Sequence, residues 1–194
     1  MIPTRETAEE LLRDAETYNP GAWVEHSHAV AMCAEKIAAA CGDMDPEKAF
    51  VLGLLHDIGR KFGVKHMGHI YDGYRYMTDL GYDEAARICL SHSFSIQKLE
   101  DYIGKWDISE EQQAELRKLL NEMVYDEYDR LIQVCDSLAG TEVVDMEERM
   151  ADVKRRYGAY PQDKWDKNLA LKEYFEEKMQ QDIYKVVETV SNFV

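Results

Sequence analysis

The chain has 194 residues, 45% of them hydrophobic and 31% charged, which suits one globular domain with a substantial core. Its formal net charge of −15 repels phosphate backbones and argues against duplex nucleic acid as a partner. No apolar run approaches the roughly 20 residues that span a bilayer, and residues 1–10 lack the basic and apolar regions of a signal peptide, so we expect a cytoplasmic protein without a membrane partner.

The first third of the chain carries repeated helix start and stop signals. Thr7 and Glu10 form a capping box that predicts a short first helix. Asn19 before Pro20 predicts the start of a second helix, which Gly42 closes. The same pairing of a capping side chain with proline recurs at residues 45–46 and predicts a third helix, which ends at residue 59.

The remaining segments also read as helices. Further helices are predicted over residues 65–80, 83–92, 125–139 and 141–157, and a second capping box opens one at Ser109. After a break at Pro161, residues 165–190 show apolar positions near the 3.6-residue period. No run alternates long enough to predict a strand. We therefore predict an all-α protein, with an irregular helical domain over residues 1–140 and a C-terminal helical extension over residues 141–194 packed on it.

The cysteines do not suggest a disulfide frame or a zinc site. None of the four forms a CxxC pair, and each lies among apolar residues. Buried, reduced thiols are the prediction for Cys33, Cys41, Cys89 and Cys135.

The most informative feature is the doublet of His56 and Asp57, which ends an apolar run that begins at Phe50. A buried imidazole and carboxylate need partners, because burying a charge is costly unless it is paired or bound to a metal. Adjacent nitrogen and oxygen ligands suit a hard or borderline divalent ion. The doublet therefore predicts a metal site with further ligands elsewhere in the chain.

Helical spacing identifies His26 as the inward histidine of the second predicted helix. It shares a stripe with Val30, Cys33 and Ile37, whereas His28 points to roughly the opposite side. A lone histidine on an apolar face is usually a core residue, but the doublet in the same domain favours a ligand role for His26. We expect His28 to face solvent or the rim of the site.

A second set of polar residues follows the doublet. His69 lies one turn before Gly73, a residue that is costly inside a helix unless another group approaches closely. His66 is open between a supporting role and a helix-start role. His92 ends an apolar helix, and Asp136 stands alone in an otherwise apolar one, which favours an inward position for both.

Six residues are thus candidate ligands: His26, His56, Asp57, His69, His92 and Asp136. Four of them (His26, His56, Asp57 and Asp136) could hold one ion with water, and all six could hold two ions with Asp57 as the bridge. The donor set suits one or two divalent ions of iron, manganese, zinc, cobalt or nickel.

These residues resemble the HD-domain metal-dependent phosphohydrolases. His26 begins a His-Ser-x-x-Val-Ala-like segment, the doublet at His56 lies in a close match to the family's LLHDIGK motif, and Asp136 resembles the closing aspartate. The resemblance covers about residues 23–139 and implies an HD-domain helical bundle. His69 and His92 resemble the extra histidines of dinuclear branches, among which the bacterial diadenosine tetraphosphatase-like enzymes are closest in pattern. The stretch after His92 lacks the motifs of cyclic-dinucleotide phosphodiesterases.

The resemblance implies hydrolysis of a phosphoester or phosphoanhydride in a small, nucleotide-like substrate by metal-activated water. Asp57 would orient that water, and Arg60 would either contact a phosphate oxygen or serve as an ordinary helix-end cation. Lys61, Lys65 and Arg87 are further candidate phosphate contacts. Two alternatives use the same ligands: a di-iron oxygenase, and a non-catalytic metal-dependent binding or sensor module. A homodimer is one assembly that the sequence leaves open.

Overall fold

The structure is a computed structural model that describes residues 1–188, and these residues form an all-α fold. No β-strand occurs in this range, and one isolated β-bridge joins Ala139 and Val143. The helices are α1 (Arg5–Tyr18), α2 (Trp23–Cys41), α3 (Pro46–Leu55), α4 (Met67–Asp79), α5 (Asp83–Ser91), α6 (Glu110–Glu122), α7 (Glu127–Leu138), α8 (Met146–Tyr157), α9 (Gln162–Met179) and α10 (Ile183–Val187).

Several helix ends follow the predicted local chemistry. The Asp45 carboxylate accepts hydrogen bonds from two backbone N–H groups of the first turn of α3, and Pro46 occupies the first helical position. Ser109 and Gln112 form the predicted capping box of α6. Gly42 ends α2 with a φ of 77°, in the left-handed region that favours glycine.

Two predicted starts near the N-terminus are wrong. Thr4, not Thr7, caps α1, because its hydroxyl accepts the Thr7 N–H one turn earlier than the capping-box pattern predicted. Asn19 closes α1 instead of opening α2, and its side chain donates to the Arg60 carbonyl. α2 begins only at Trp23, whose indole N–H donates back to the Asn19 carbonyl.

The long C-terminal helix is also divided. α9 ends at Gln180, which adopts a left-handed φ of 54°, and α10 follows after two residues. The last predicted helical positions, residues 189–190, lie outside the described residues. α3 ends at Leu55 rather than at Gly59, and a 3₁₀ turn over Ile58–Phe62 carries the chain onward.

α2 and α3 form the centre of the fold and lie unusually close together. A methyl group added at Gly53 of α3 would lie 2.8 Å from the Ala31 Cα of α2, so only glycine permits this approach. Close packing of these two helices places the N-terminal part of α2 beside the C-terminal end of α3. α7 contacts both helices from another side.

The helices after Gly140 pack on the same core. α9 and α10 contact α2, and α8 and α9 contact α7, with Phe175, Ile183 and Val187 fully buried. The division near residue 140 stays a prediction. The cysteines are free, although Cys41 is only partly buried. Within residues 1–188, none of the helices has both the length and the apolar character that crossing a bilayer requires.

Candidate metal centre

The doublet lies where α3 ends. His56 closes α3, and Asp57 precedes the 3₁₀ turn that packs against α4. Both side chains are almost completely buried, at 1% and 3% exposure. The apolar residues of α3 thus lead the chain inward and leave an imidazole and a carboxylate at the end of the buried run.

Two groups of donors meet at this point. His26, His56 and Asp57 each offer a ligand atom, and these atoms all lie within 4.8 Å of one another. Asp57, His69 and His92 form a second group by the same measure. We call these the first triad and the second triad. Because Asp57 belongs to both, the residues are placed so that two ions could share its carboxylate, and the number of ions stays a prediction.

The two Asp57 oxygens face different triads. Asp57 Oδ2 lies 3.9 Å from His56 Nε2, whereas Oδ1 lies 3.1 Å from His69 Nε2 and 3.6 Å from His92 Nε2. The His69 and His92 Nε2 atoms are themselves 3.4 Å apart. A carboxylate that presents one oxygen to each triad has the orientation needed to bridge two ions.

The orientation of the histidines is the same at all four positions. The Nδ1 atom of each lies against a main-chain carbonyl oxygen: Gly140 for His26 (3.0 Å), Gly53 for His56 (2.7 Å), His66 for His69, and Cys89 for His92 (2.9 Å). A carbonyl at Nδ1 favours the tautomer with its proton there and leaves Nε2 as a lone-pair donor. Each imidazole therefore presents a metal-binding nitrogen to the centre.

Two buried atoms at the centre have no hydrogen-bond partner among the described residues. They are His56 Nε2 and Asp57 Oδ1. Orphaned buried polar atoms are rare and costly in folded proteins. A bound cation would satisfy both, so the donor set fits a divalent metal on the chemistry of the residues themselves.

The charge state of the centre suits metal binding. Burial would raise the pKa of Asp57, but the charges of Arg60 and the surrounding histidines outweigh it and hold the pKa well below its usual range. Burial lowers the pKa of His56, and it lowers that of His92 to about 3. At neutral pH Asp57 is therefore ionised, and His56 and His92 are neutral, which are the forms that bind metals.

Asp136 lies beside the first triad rather than within it. Its Oδ1 lies 3.1 Å from His26 Nε2, and its side chain is 26% exposed. Although burial lowers the pKa of His26, the contact with Asp136 raises it above its ordinary value. Asp136 thus contacts the first triad through His26. Direct binding of an ion by Asp136 stays a prediction.

Arg60 lies against Asp57, with its Nε 2.5 Å from Asp57 Oδ2. Neither sequence-based role for Arg60 included this ion pair. Lys65 forms an ion pair with Asp72. The other cations predicted to contact phosphate are engaged elsewhere: Lys61 with Asp14, and Arg87 with Asp126 and Asp129.

A cavity of about 530 Å³ opens onto both triads. His66, which precedes the first residue of α4, lines it, while His28 is half-buried and outside the lining. Helix α8 also lines it through Arg149, Val153, Arg156 and Tyr157, none of which the sequence singled out. These residues carry no motif, so only the packing of α8 over the centre reveals them.

Comparison with known families adds one finding. A family model described as HD domain matches residues 23–141, more than half of the chain. The matched span begins at the first residue of α2, ends just beyond α7 and contains all six candidate ligands. No curated protein and no solved structure matches the chain at a significant level. Helices α8, α9 and α10 lie outside the match.

Proposed function

Because this chain belongs to the HD domain family, we propose that it hydrolyses a phosphoester or phosphoanhydride bond in a small, nucleotide-like molecule. The observation that carries the proposal is the pair of triads that share Asp57 at the floor of a cavity lined by cations. A divalent metal is the group that the family and the donor set imply. Two ions, one at each triad, are the occupancy that the shared carboxylate favours.

The residues of the two triads would bind the metal, and Asp57 would also act on the attacking water. His26 and His56 would hold one ion, with Asp136 beside them, and His69 and His92 would hold the other. Bound metal supplies a Lewis acid that lowers the pKa of water towards neutrality and so provides the nucleophile. Asp57 holds the two triads in register and, as an ionised carboxylate, accepts a hydrogen bond from the attacking water.

Arg60 supports this chemistry in two ways. Its Nε fixes the Oδ2 atom of Asp57, so the carboxylate keeps its orientation. The guanidinium also lines the cavity, where its remaining N–H groups are available to a phosphate oxygen. Arg149 and Arg156 add positive charge on the opposite wall. In a chain of net charge −15, this local concentration of cations supports an anionic substrate.

The size of the cavity agrees with a small-molecule substrate. Its volume of about 530 Å³ lies within the range of roughly 300–1,000 Å³ for ligand pockets. Tyr102 and Tyr157 lie on its walls and offer aromatic surface for a base. The resemblance to the diadenosine tetraphosphatase-like branch makes dinucleoside polyphosphates the first substrates to assay.

The test combines elemental analysis with a substrate panel. Purified protein and its Asp57→Ala variant are assayed for phosphate or nucleotide release from mononucleotides, dinucleotides and dinucleoside polyphosphates, with and without oxygen. We expect the wild-type protein to retain a divalent metal and to release product equally under both atmospheres, while the variant does neither. Equal release by wild type and variant would refute the proposed site.

The same panel separates the two alternatives. Oxygen consumption that accompanies turnover, with iron as the bound metal, would identify a di-iron oxygenase. Metal-dependent folding without turnover of any phosphate compound would identify a binding or sensor module. The cation-lined cavity favours the hydrolase over both, since neither alternative requires a positively charged wall.

A further inference from the structure

The helices outside the family match form part of the cavity wall. α8 covers the cavity above the triads, and the first turns of α9 reach a second, smaller cavity of about 120 Å³. The two cavities share His92, Asp136 and Arg149 in their walls, so they adjoin beside His92 of the second triad. We call the smaller one the inner cavity.

Arg149 is the cation at this junction. Among the described residues, its guanidinium makes no ion pair and no hydrogen bond. The other cavity cations are engaged: Arg60 with Asp57, Lys65 with Asp72, and Arg156 with Asp152. A half-buried arginine without an acidic partner, in so acidic a chain, has its N–H groups free for a ligand.

Lys164 supplies a second cation from the inner wall. Its side chain is 8% exposed, and its Nζ donates to the Ser93 carbonyl at 2.8 Å and to the Asp101 carbonyl at 3.2 Å. These two bonds leave one ammonium proton unused. Neither contact is an ion pair, so the positive charge of Lys164 is buried without a paired carboxylate.

The inner cavity contains further unsatisfied polar atoms. Ser95 Oγ and Gln133 Oε1 are buried there without a hydrogen-bond partner among the described residues. A volume of about 120 Å³ equals that of about four waters at roughly 30 Å³ each, which is enough to contain a phosphate group. A hydroxyl donor, a carbonyl acceptor and two cations suit a phosphate that carries one proton or is accompanied by water.

We propose, on the basis of the proposed hydrolase function, that Arg149 and Lys164 bind a second phosphate group of the substrate in and at the mouth of the inner cavity. The substrate class is then a molecule with two linked or neighbouring phosphates, in preference to a phosphate monoester. One phosphate lies at the triads, and the other lies between α8 and α9. The acidic residue that lines the inner cavity is Asp136, whose Oδ1 is turned towards His26.

The test compares two probes that differ only in the number of anionic groups. Methylenediphosphonate carries two linked phosphonates that are not hydrolysed, and methylphosphonate carries one. Isothermal calorimetry measures their affinity for the metal-containing protein and for Arg149→Gln, Lys164→Met and Arg155→Gln. Arg155 is the matched control, because it lies on the same helix, is 71% exposed and lines neither cavity.

We expect tighter binding of the diphosphonate by the wild-type protein. Arg149→Gln and Lys164→Met should each weaken that binding about tenfold or more, as lost hydrogen bonds to charged groups do, and should change methylphosphonate affinity by less than about threefold. Arg155→Gln should change neither affinity. The Arg149 side chain makes no hydrogen bond and no ion pair in the described chain, so its variant should fold normally.

Three results would overturn the inference. They are equal wild-type affinity for both probes, equal losses for both probes in the variants, and a loss in Arg155→Gln as large as that in Arg149→Gln. Because calorimetry measures binding without turnover, the outcome is independent of the hydrolysis assay. If the protein binds the diphosphonate through Arg149 but hydrolyses no phosphate compound, the proposed hydrolase function is wrong and the proposed phosphate-binding site stands.

Discussion

Gly59 and Gly73 meet backbone to backbone, where the 3₁₀ turn after the doublet crosses α4. A methyl group added at Gly59 would lie 2.5 Å from the Gly73 N and 1.9 Å from the His69 carbonyl oxygen. The Gly73 side of the contact is less tight but still close, since a methyl group there would lie 3.2 Å from the Gly59 N. The contact places the helix that carries His69 directly against the turn that follows Asp57.

Gly59→Ala should therefore separate these two segments. Backbone atoms have to move, which costs about 3 kcal/mol or more and lowers the melting temperature by roughly 6–12 °C. Because the clash is with the carbonyl of His69, the second triad should also lose metal. Differential scanning calorimetry and elemental analysis measure the two effects.

Gly140→Ala is the matched control for this substitution. The added methyl group would meet only the Glu142 carbonyl at 3.7 Å, an ordinary contact. Its effect should stay within about 0.5 kcal/mol. A Gly59→Ala protein as stable as the control would contradict the close-packed arrangement.

Asp57→Asn tests the shared carboxylate with almost no change in volume. The amide cannot supply two anionic oxygens, so metal affinity should fall by more than about 100-fold at both triads. Competition with a chromophoric chelator measures the affinity. His28→Ala serves as control, because His28 lies outside the cavity lining, and it should retain the wild-type metal content. Unchanged affinity in Asp57→Asn would remove Asp57 from the site.

His92→Ala and His26→Ala together test whether the two triads hold separate ions. His92 contributes to the second triad alone, whereas His26 contributes to the first. If two ions bind, the wild-type protein should contain two per chain and each variant one. Elemental analysis against protein concentration gives the ratio. Complete metal loss in both variants would show instead a single ion held by all the ligands together.

The stability of the protein should depend on the charge of Lys164 in alkaline solution. Burial lowers its pKa from 10.5 to about 8, although Asp136 and Asp101 act in the opposite direction. Between these values the unfolded chain holds more protons at this position than the folded chain. The free energy of unfolding that Lys164 contributes therefore rises with pH across this window, by about 3 kcal/mol in total.

Urea unfolding of wild type and Lys164→Met measures this contribution. The variant should be relatively more stable near pH 8, and its advantage should shrink as the pH approaches about 10.5. Burial raises the pKa of Tyr102, Tyr125 and Tyr160 from 10.0, which makes stability fall with pH above about pH 10. These groups are present in both proteins, so they cancel in the difference. Parallel pH profiles would show that Lys164 has an ordinary pKa.

The sequence predicted the fold class and the residues that meet at the centre, because these depend on periodic patterns. His26 shares a stripe with core residues, and the doublet ends an apolar run, so burial of both follows from helical geometry. Gly73 carried a signal as well, since a glycine inside a helix is costly without a close contact. The contact partner, Gly59, could not be identified without the packing of two distant segments.

Other features depended on competition between local signals. Asn19 carries the pattern of a helix start, but its side chain instead bonds the Arg60 carbonyl, so a tertiary contact overrides the capping preference. Arg149 and Lys164 lie in the charged C-terminal segment, where a solvated cation is the ordinary expectation. Only the placement of α8 and α9 over the core distinguishes them from exposed neighbours such as Arg155.

The main-chain carbonyls at the four histidines have a consequence for the order of events in the cell. The Gly53 and Cys89 carbonyls belong to α3 and α5, and those of His66 and Gly140 lie close to the ends of α4 and α7. The imidazoles therefore become oriented as the polypeptide folds, before any ion binds. Uptake should then proceed with little rearrangement of an already assembled apoprotein. Which ion the protein acquires would accordingly reflect supply and intrinsic ligand preference rather than guidance by the folding chain.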